Sequence, residues 1–198
     1  MAEDVAPDEK TANLIATRRD SPPMEVSEAI RVRRSVRSFS DEPVPSDALA
    51  KVLEAGRISP SASNKQPWHF IVVTDEGRRR GLSEGRYAKF LTQCPAVIVG
   101  CGDRVRAEKW YKVDVTIALQ TMVLQATSEG LGTCWIGSFD GPSVRSLLKI
   151  PDNYEVVAML AVGYPKGFSL KDKLTQSTSR MPMEEIVSWE EFGKPKSL

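Results

Sequence analysis

The stretch Pro60-Ser61-Ala62-Ser63-Asn64-Lys65-Gln66-Pro67-Trp68-His69-Phe70-Ile71-Val72-Val73 passes from hydroxyls and carboxamides fenced by prolines into a nearly unbroken apolar, β-branched run. Its first half reads as a loop, because Ser, Asn and Pro favour turns over helix and strand. Its second half, from Trp68, is short and bounded by a turn signal, which predicts a strand buried on both faces. Upstream, Leu49, Val52 and Leu53 recur at helical spacing, with Ser46 as N-cap, Asp47 in the first turn and Gly56 as the stop. Helix, polar loop and buried strand thus follow one another, and a loop so placed presents polar donors from a rigid scaffold. Taken alone, the stretch also reads as an ordinary helix-to-strand connector.

Further out, Ala96-Val97-Ile98-Val99-Gly100 predicts a second buried strand. Residues 107–130 form the longest helical candidate, with Val113, Val115, Ile117, Leu119, Met122, Val123 and Leu124 spread around its circumference. Such a helix is buried on most sides. A third strand is expected around Gly132 to Ile136, a helix from about Pro142 to Leu148, and a fourth strand over Glu155 to Val162. Towards the N-terminus, Val26, Ala29 and Ile30 predict a short helix ending near the basic run Arg31-Val32-Arg33-Arg34-Ser35-Val36-Arg37. Residues 1–23, polar and punctuated by proline, are expected to form a flexible tail or an arm that orders against something else, and 24–198 a single domain. Beyond Pro165, more than thirty residues hold one modest helix, Met183 to Trp189. That is too long a stretch for a compact monomer. An arm over about 166–198 that embraces a second subunit accounts for it.

With 198 residues, 41% of them hydrophobic, the chain can build one domain with a real core. Lysine plus arginine number 27 against 26 acidic residues, so the net charge of +1 offers no general attraction to nucleic acid or anionic membrane. No apolar run approaches the ~20 residues that span a bilayer, and Met1 to Lys10 lacks the basic and apolar regions of a signal peptide. A cytoplasmic location is expected. The three cysteines, Cys94, Cys101 and Cys134, lack CxxC spacing and are expected as reduced thiols.

Arg33, Arg34 and Arg37, with Ser35 among them, lie where a helix should give way to an extended segment. Guanidinium groups bind phosphate oxygens bidentately and stay charged at any working pH, so the run suits an anion. It equally suits a solvated basic face. Gly130-Leu131-Gly132-Thr133-Cys134-Trp135-Ile136-Gly137 surrounds a strand with glycines, which permits close backbone approach to a ligand or simply ends a helix and starts a strand.

Taken in order, RRSVR, SPSASNKQPW, GLGTCWIG and the late Ser179-Arg180-Met181-Pro182 resemble the nitroreductase family of flavoproteins over roughly Val26 to Val187. The resemblance implies an α+β, three-layer fold with a central mixed sheet flanked by helices, and an intertwined homodimer with a C-terminal arm. It implies non-covalent FMN at the dimer interface, NAD(P)H as electron donor, and a small planar acceptor: a nitroaromatic, a quinone or a flavin. Arg33 and Arg180 match phosphate-holding positions, Arg34 and Ser35 positions along the ribityl chain and ring edge, and Arg37 a basic position beside the pyrimidine end. A fixed cation there would stabilise charge on flavin N1 and O2. Ser61, Ala62, Ser63 and Asn64 match a loop contributed by the partner subunit. Trp135, Ile136 and Gly137 match the stretch facing the ring, with the Gly137 N–H directed at N5. Many relatives have a Pro-Ile-Glu-Gly-like or Ser-rich stretch in place of Cys134 to Phe139, and some a second basic residue where this chain has Thr178. The same scaffold also carries flavin-fragmenting synthases, reductive dehalogenases and dehydrogenating oxidases, and a non-enzymatic flavin-binding module is a further alternative.

His69 is the only histidine, which excludes a His-based triad or multi-His metal site within one chain and marks it as a structural residue. Cys134 is expected to be an inert buried thiol. Phe90, Trp110 and Tyr111 fall where relatives vary their substrate cover, and core packing serves equally well for them.

Overall fold

The structure is a computed structural model that describes residues 24–84, 88–167 and 179–194. The N-terminal tail, Thr178 and parts of the proposed arm lie outside the described residues. Four strands, β1 (Trp68–Val73), β2 (Ala96–Asp103), β3 (Gly132–Ile136) and β4 (Tyr154–Gly163), form one sheet in the order β1-β2-β4-β3. Every neighbouring pair is antiparallel. Parallel pairing occurs at a single bridge, Ser35 to Thr133, so the mixed sheet that the resemblance implies is antiparallel in its named strands.

Alternation along the strands sends side chains to two cores. Val97, Val99, Cys101, Cys134, Met159 and Ala161 belong to one, together with Leu82, Leu91 and Val144. Ile98, Leu160 and Val162 belong to the other, with Ala48, Val52, Leu119 and Met122. The first core is covered by α3 (Glu76–Leu82) and α5 (Gly141–Leu148), the second by α2 (Ser46–Arg57) and α4 (Tyr111–Ser128). The result is three layers, as the resemblance implies. Leu119, Met122 and Leu160 have no exposed surface, and burying each contributes about 1.5–3 kcal/mol.

Local chemistry sets the helix limits. Asp140 accepts from the Ser143 N–H at 3.0 Å, Pro142 sits in the first turn, and Lys149 closes α5 in a left-handed conformation, φ 55°. For α2 the sequence reading shifts: Pro45, not Ser46, is the cap residue, and Gly56 lies inside the helix, which ends at Arg57. Gly56 is there for closeness, since a Cβ would collide with Met122 of α4. Helix α3 was not expected; its EGRRRGL sequence buries only Leu82 and so has no apolar period, although Asp75 caps it by accepting from the Arg78 N–H at 2.9 Å.

Three further expectations change. β2 is buried almost throughout, but β1 is an edge strand and only half-buried, because nothing pairs with its outer side among the described residues. The late helix α6 is the single turn Met183–Ile186 and does not reach Trp189. Helix α4 buries Val115, Leu119 and Val123 but leaves Val113 and Ile117 exposed, so within one chain it is not covered on most sides.

Candidate functional site

Helix α1 (Val26–Val32) ends at Arg33, whose φ of −50° and ψ of 131° turn the chain into an extended path. That path runs beside β3: Ser35 bridges Thr133, and the Val36 N–H donates to the Thr133 carbonyl at 2.8 Å. Val36 points into the core, 2% exposed, so the two-residue alternation turns Ser35 and Arg37 outwards, and both are exposed. Gly132 makes room for this approach, since a Cβ on it would stand 2.6 Å from Val36 Cγ2. The basic run and the glycine-flanked strand, nearly a hundred residues apart, are thereby joined. Downstream the path stays pinned, with the Ser40 N–H donating to Tyr164 at 2.9 Å and the Lys166 N–H to Ser38 at 3.0 Å.

The three arginines differ. Arg34 is half-buried and turns back on the helix end, donating from Nη1 to the carbonyls of Arg31 at 2.6 Å and Arg33 at 2.9 Å. Arg33 and Arg37 form no ion pair among the described residues. Arg37 lies close enough to Cys134 to matter electrostatically: burial pushes that thiol up, and the arginine charge pulls it back. Arg180 is exposed and donates to its neighbour Ser179 at 3.0 Å; the single chain shows no bond between it and Arg33.

Along β3, Cys134 and Ile136 face the core while Trp135 is half-buried on the opposite face. Ile136 can therefore offer a ligand only its backbone. Gly137, just past the strand, is exposed, and a Cβ there would meet nothing within 4 Å. Protein packing does not require its missing side chain. Uncommitted guanidinium groups, an exposed hydroxyl at Ser35 and an open backbone N–H at Gly137 form a donor set suited to an anionic, planar ligand.

The loop Ser61 to Gln66 is a 3-10 turn, Ala62–Asn64, with Ser63, Asn64 and Gln66 in left-handed backbone at φ 51°, 53° and 48°. Such conformations cost about 1–3 kcal/mol for ordinary side chains and persist only where the surroundings enforce them. Here the Gln66 N–H donates to Ser61 Oγ at 2.9 Å, and its side-chain amide to the Asn64 carbonyl and Oδ1, both at 3.1 Å. The Ala62 N–H donates to Oδ1 of Asp114, in the first turn of α4, at 3.0 Å. Sequence reasoning missed Asp114. The signal was an acid set inside the apolar run Val113-Asp114-Val115 of a helix expected to be buried.

Within one chain this loop and the basic run do not meet. The loop leads into Trp68 at the start of edge strand β1, whereas Ser35 lies outside β3 at the other edge, level with Thr133, Val162 and Ala96, one residue past the Val97–Val73 pair that ends β1. Four strand spacings and about six residues of strand separate the two corners, roughly 28 Å. A cavity of about 370 Å³ beside the loop is lined by Ala62, Ser63, Lys65 and the 107–110 turn. A larger open groove, about 840 Å³, lies against α5 and includes none of the motif residues.

Of the aromatic candidates for substrate cover, Tyr111 is buried and donates to Glu155 at 2.7 Å, and Phe90 stacks on Phe39 with ring centroids 6.4 Å apart. Only Trp110 is exposed. His69 is exposed on β1 and meets Tyr154 edge-on at 5.8 Å. The three cysteines are free and buried.

Known proteins resemble this chain in sequence and in fold. The family described as the nitroreductase family matches residues 30–85 and 82–164. A protein of Archaeoglobus fulgidus, provisionally named NADH dehydrogenase/NAD(P)H nitroreductase, is 35% identical over 69% of this chain and 83% of its own length. A crystal structure from Parabacteroides distasonis with the same provisional name superposes with a TM-score of 0.76 at 29% identity, covering 84% of this chain and 98% of that one. An FMN-dependent nitroreductase from Clostridium difficile gives a TM-score of 0.73 at 27% identity, covering 83% and 98%. No helix among the described residues is long and apolar enough to cross a membrane.

Proposed function

The chain belongs to the nitroreductase family, and from that premise we propose that it is an FMN-dependent oxidoreductase, working as a homodimer, that passes electrons from NAD(P)H to a small planar acceptor such as a nitroaromatic, a quinone or a flavin. The observation that carries this reading is the junction of Arg33 to Arg37 with β3, which sets a basic run and the open Gly137 along one edge of the sheet.

Bound FMN would supply the two-electron redox chemistry between NAD(P)H and the acceptor. The chain's part is to bind and orient. Arg33, joined by Arg180 from the arm, holds the phosphate by charge-assisted hydrogen bonds. Arg34 and Ser35 line the ribityl chain and ring edge, and Arg37 places a fixed positive charge beside N1 and O2, where it needs no reorganisation to act. Gly137 would offer its N–H to N5, and Trp135 and the Ile136 backbone would face the ring. Ser61, Ala62, Ser63 and Asn64 of the partner subunit close the site from the other side.

Two features support the dimer. The loop and the basic run lie at opposite corners of one chain's sheet, so a compact site containing both draws on two chains. Apolar side chains also remain unburied in a single chain: Trp110, Val113 and Ile117 along α4, Val26 and Ile30 on α1, and Met181, Met183, Ile186 and Phe192 in the 179–194 segment. Exposed apolar surface on that scale marks an interface. A single domain over 24–198, an arm over 166–198 and a cytoplasmic setting, where NAD(P)H is at hand, belong to the same reading.

The test is anaerobic: purified protein loaded with FMN, NADH or NADPH oxidation followed with a quinone, a nitroaromatic and a halogenated phenol in turn. Turnover with the quinone or nitroaromatic is expected. Flavin binding without oxidation of either nucleotide would make the protein a binding module and overturn the proposal.

A further inference from the structure

Asp114 is 2% exposed, and only one of its oxygens has a partner, Oδ1 from the Ala62 N–H; Oδ2 is buried with no hydrogen bond. Burying a carboxylate with one hydrogen bond is unfavourable, so its place in the apolar flank of α4 calls for a use. Capping is not that use: Trp110, the cap residue before α4, makes no side-chain cap bond, and Asp114 turns its carboxylate to the loop. Among the described residues, the Ala62 bond is the one hydrogen bond that ties the Ser61 to Gln66 segment to the rest of the chain, the others closing within the loop. That segment holds three left-handed residues, a conformation that needs outside support.

We infer that Asp114 is the positioning residue of the flavin-facing loop: its carboxylate fixes the Ala62 amide and, through it, the backbone that Ser61, Ala62, Ser63 and Asn64 present to the flavin held by the other subunit. This rests on the FMN-dependent homodimer reading. It adds that a buried side chain of one subunit governs flavin binding in the site whose phosphate is held by the other.

Two variants break the same bond from its two ends. Asp114→Ala removes the acceptor. Ala62→Pro removes the donor, and Ser61 already has the extended backbone (φ −143°, ψ 156°) that a residue preceding proline adopts. FMN dissociation constants from flavin fluorescence are expected to rise at least tenfold in each, and no further in the double variant, because one contact cannot be lost twice. Asp114→Asn keeps an oxygen for the Ala62 N–H and should stay within about threefold of wild type. Should Asp114→Ala fail to fold, Ala62→Pro decides.

Mixed dimers give a readout that a merely structural role would not move. Co-expressed chains bearing Arg33→Ala and Asp114→Ala, separated by different tags, should regain one site of wild-type affinity per dimer, since one flavin then meets an intact arginine and an intact loop. No recovered site, wild-type affinity in both single variants, or an equal loss in Asp114→Asn overturns the assignment. Wild-type protein that binds no FMN overturns the flavin reading and this role with it; wild-type binding beside unaltered variants overturns the role of Asp114 alone.

Discussion

The Val36 amide donates to the Thr133 carbonyl at 2.8 Å, and Gly132 faces Val36 so closely that a Cβ would stand 2.6 Å from its Cγ2. Everything proposed for Arg33 to Arg37 depends on that seam. Gly132→Ala is expected to push the basic run off β3, at a cost of about 1–3 kcal/mol in stability from overpacking, and to weaken FMN binding in parallel. Chemical denaturation and flavin titration check it; an unchanged flavin affinity would detach the site from the seam.

Arg33→Ala should remove one charge-assisted phosphate contact worth about 1.5–3 kcal/mol, weakening FMN roughly ten- to a hundredfold. Because Arg33 forms no ion pair among the described residues, thermal stability without flavin should hardly move. Fluorescence titration and melting of the flavin-free protein separate the two effects.

Truncation after Gly167 deletes Arg180 and the exposed apolar side chains of residues 179–194. Dimer and flavin are expected to be lost together. In the full-length protein FMN at a hundred times its dissociation constant should stabilise the folded dimer by about 2.7 kcal/mol. Sedimentation with flavin absorbance is the measurement, beside Arg180→Ala, which should stay dimeric and bind FMN poorly. A truncated monomer retaining stoichiometric FMN would refute the shared site.

Burial pushes the thiols of Cys94 and Cys101 up to about 11 from an ordinary value of 9.0. Between those values the unfolded chain gives up thiol protons that the folded chain keeps. Stability is therefore full below about pH 9 and falls as pH rises towards 11, by on the order of 2–3 kcal/mol per thiol. Urea unfolding at pH 8, 9 and 10.5 should show this decline, and it should be shallower in a Cys94→Ala/Cys101→Ala variant. An identical slope in the two proteins would exclude the thiols as its source.

Lys149 ends α5 at φ 55° and ψ 42°, a conformation glycine adopts without a Cβ penalty. Lys149→Gly is expected to stabilise the protein by about 0.5–1 kcal/mol, read as a higher melting temperature with flavin content unchanged.

Much of this molecule was legible because the relevant forces act between near neighbours in the chain. The apolar run of β2 and the Pro142 and Leu148 limits of α5 follow from side-chain period and turn chemistry over a few residues. So do the motifs, which the nitroreductase resemblance joined into one reading before any contact was visible. Gly56 was misread for a related reason: a glycine late in a helix looks like a stop unless the Met122 it accommodates, on another helix, is known.

What the sequence by itself determined is the inventory: all four strands and most helices, their order, and the basic, polar and glycine-flanked segments that carry the chemistry. Only the tertiary structure decided that Arg33 to Arg37 lie along β3, that β1 is an edge, that Val113 and Ile117 stay uncovered in one chain, and that the strained loop hangs on Asp114. The physical reason is that periodicity and turn preference are fixed by each residue's immediate neighbours. Strand order, and the partner found by the buried carboxylate of Asp114, depend on which distant segments pack together and leave a donor within 3.0 Å.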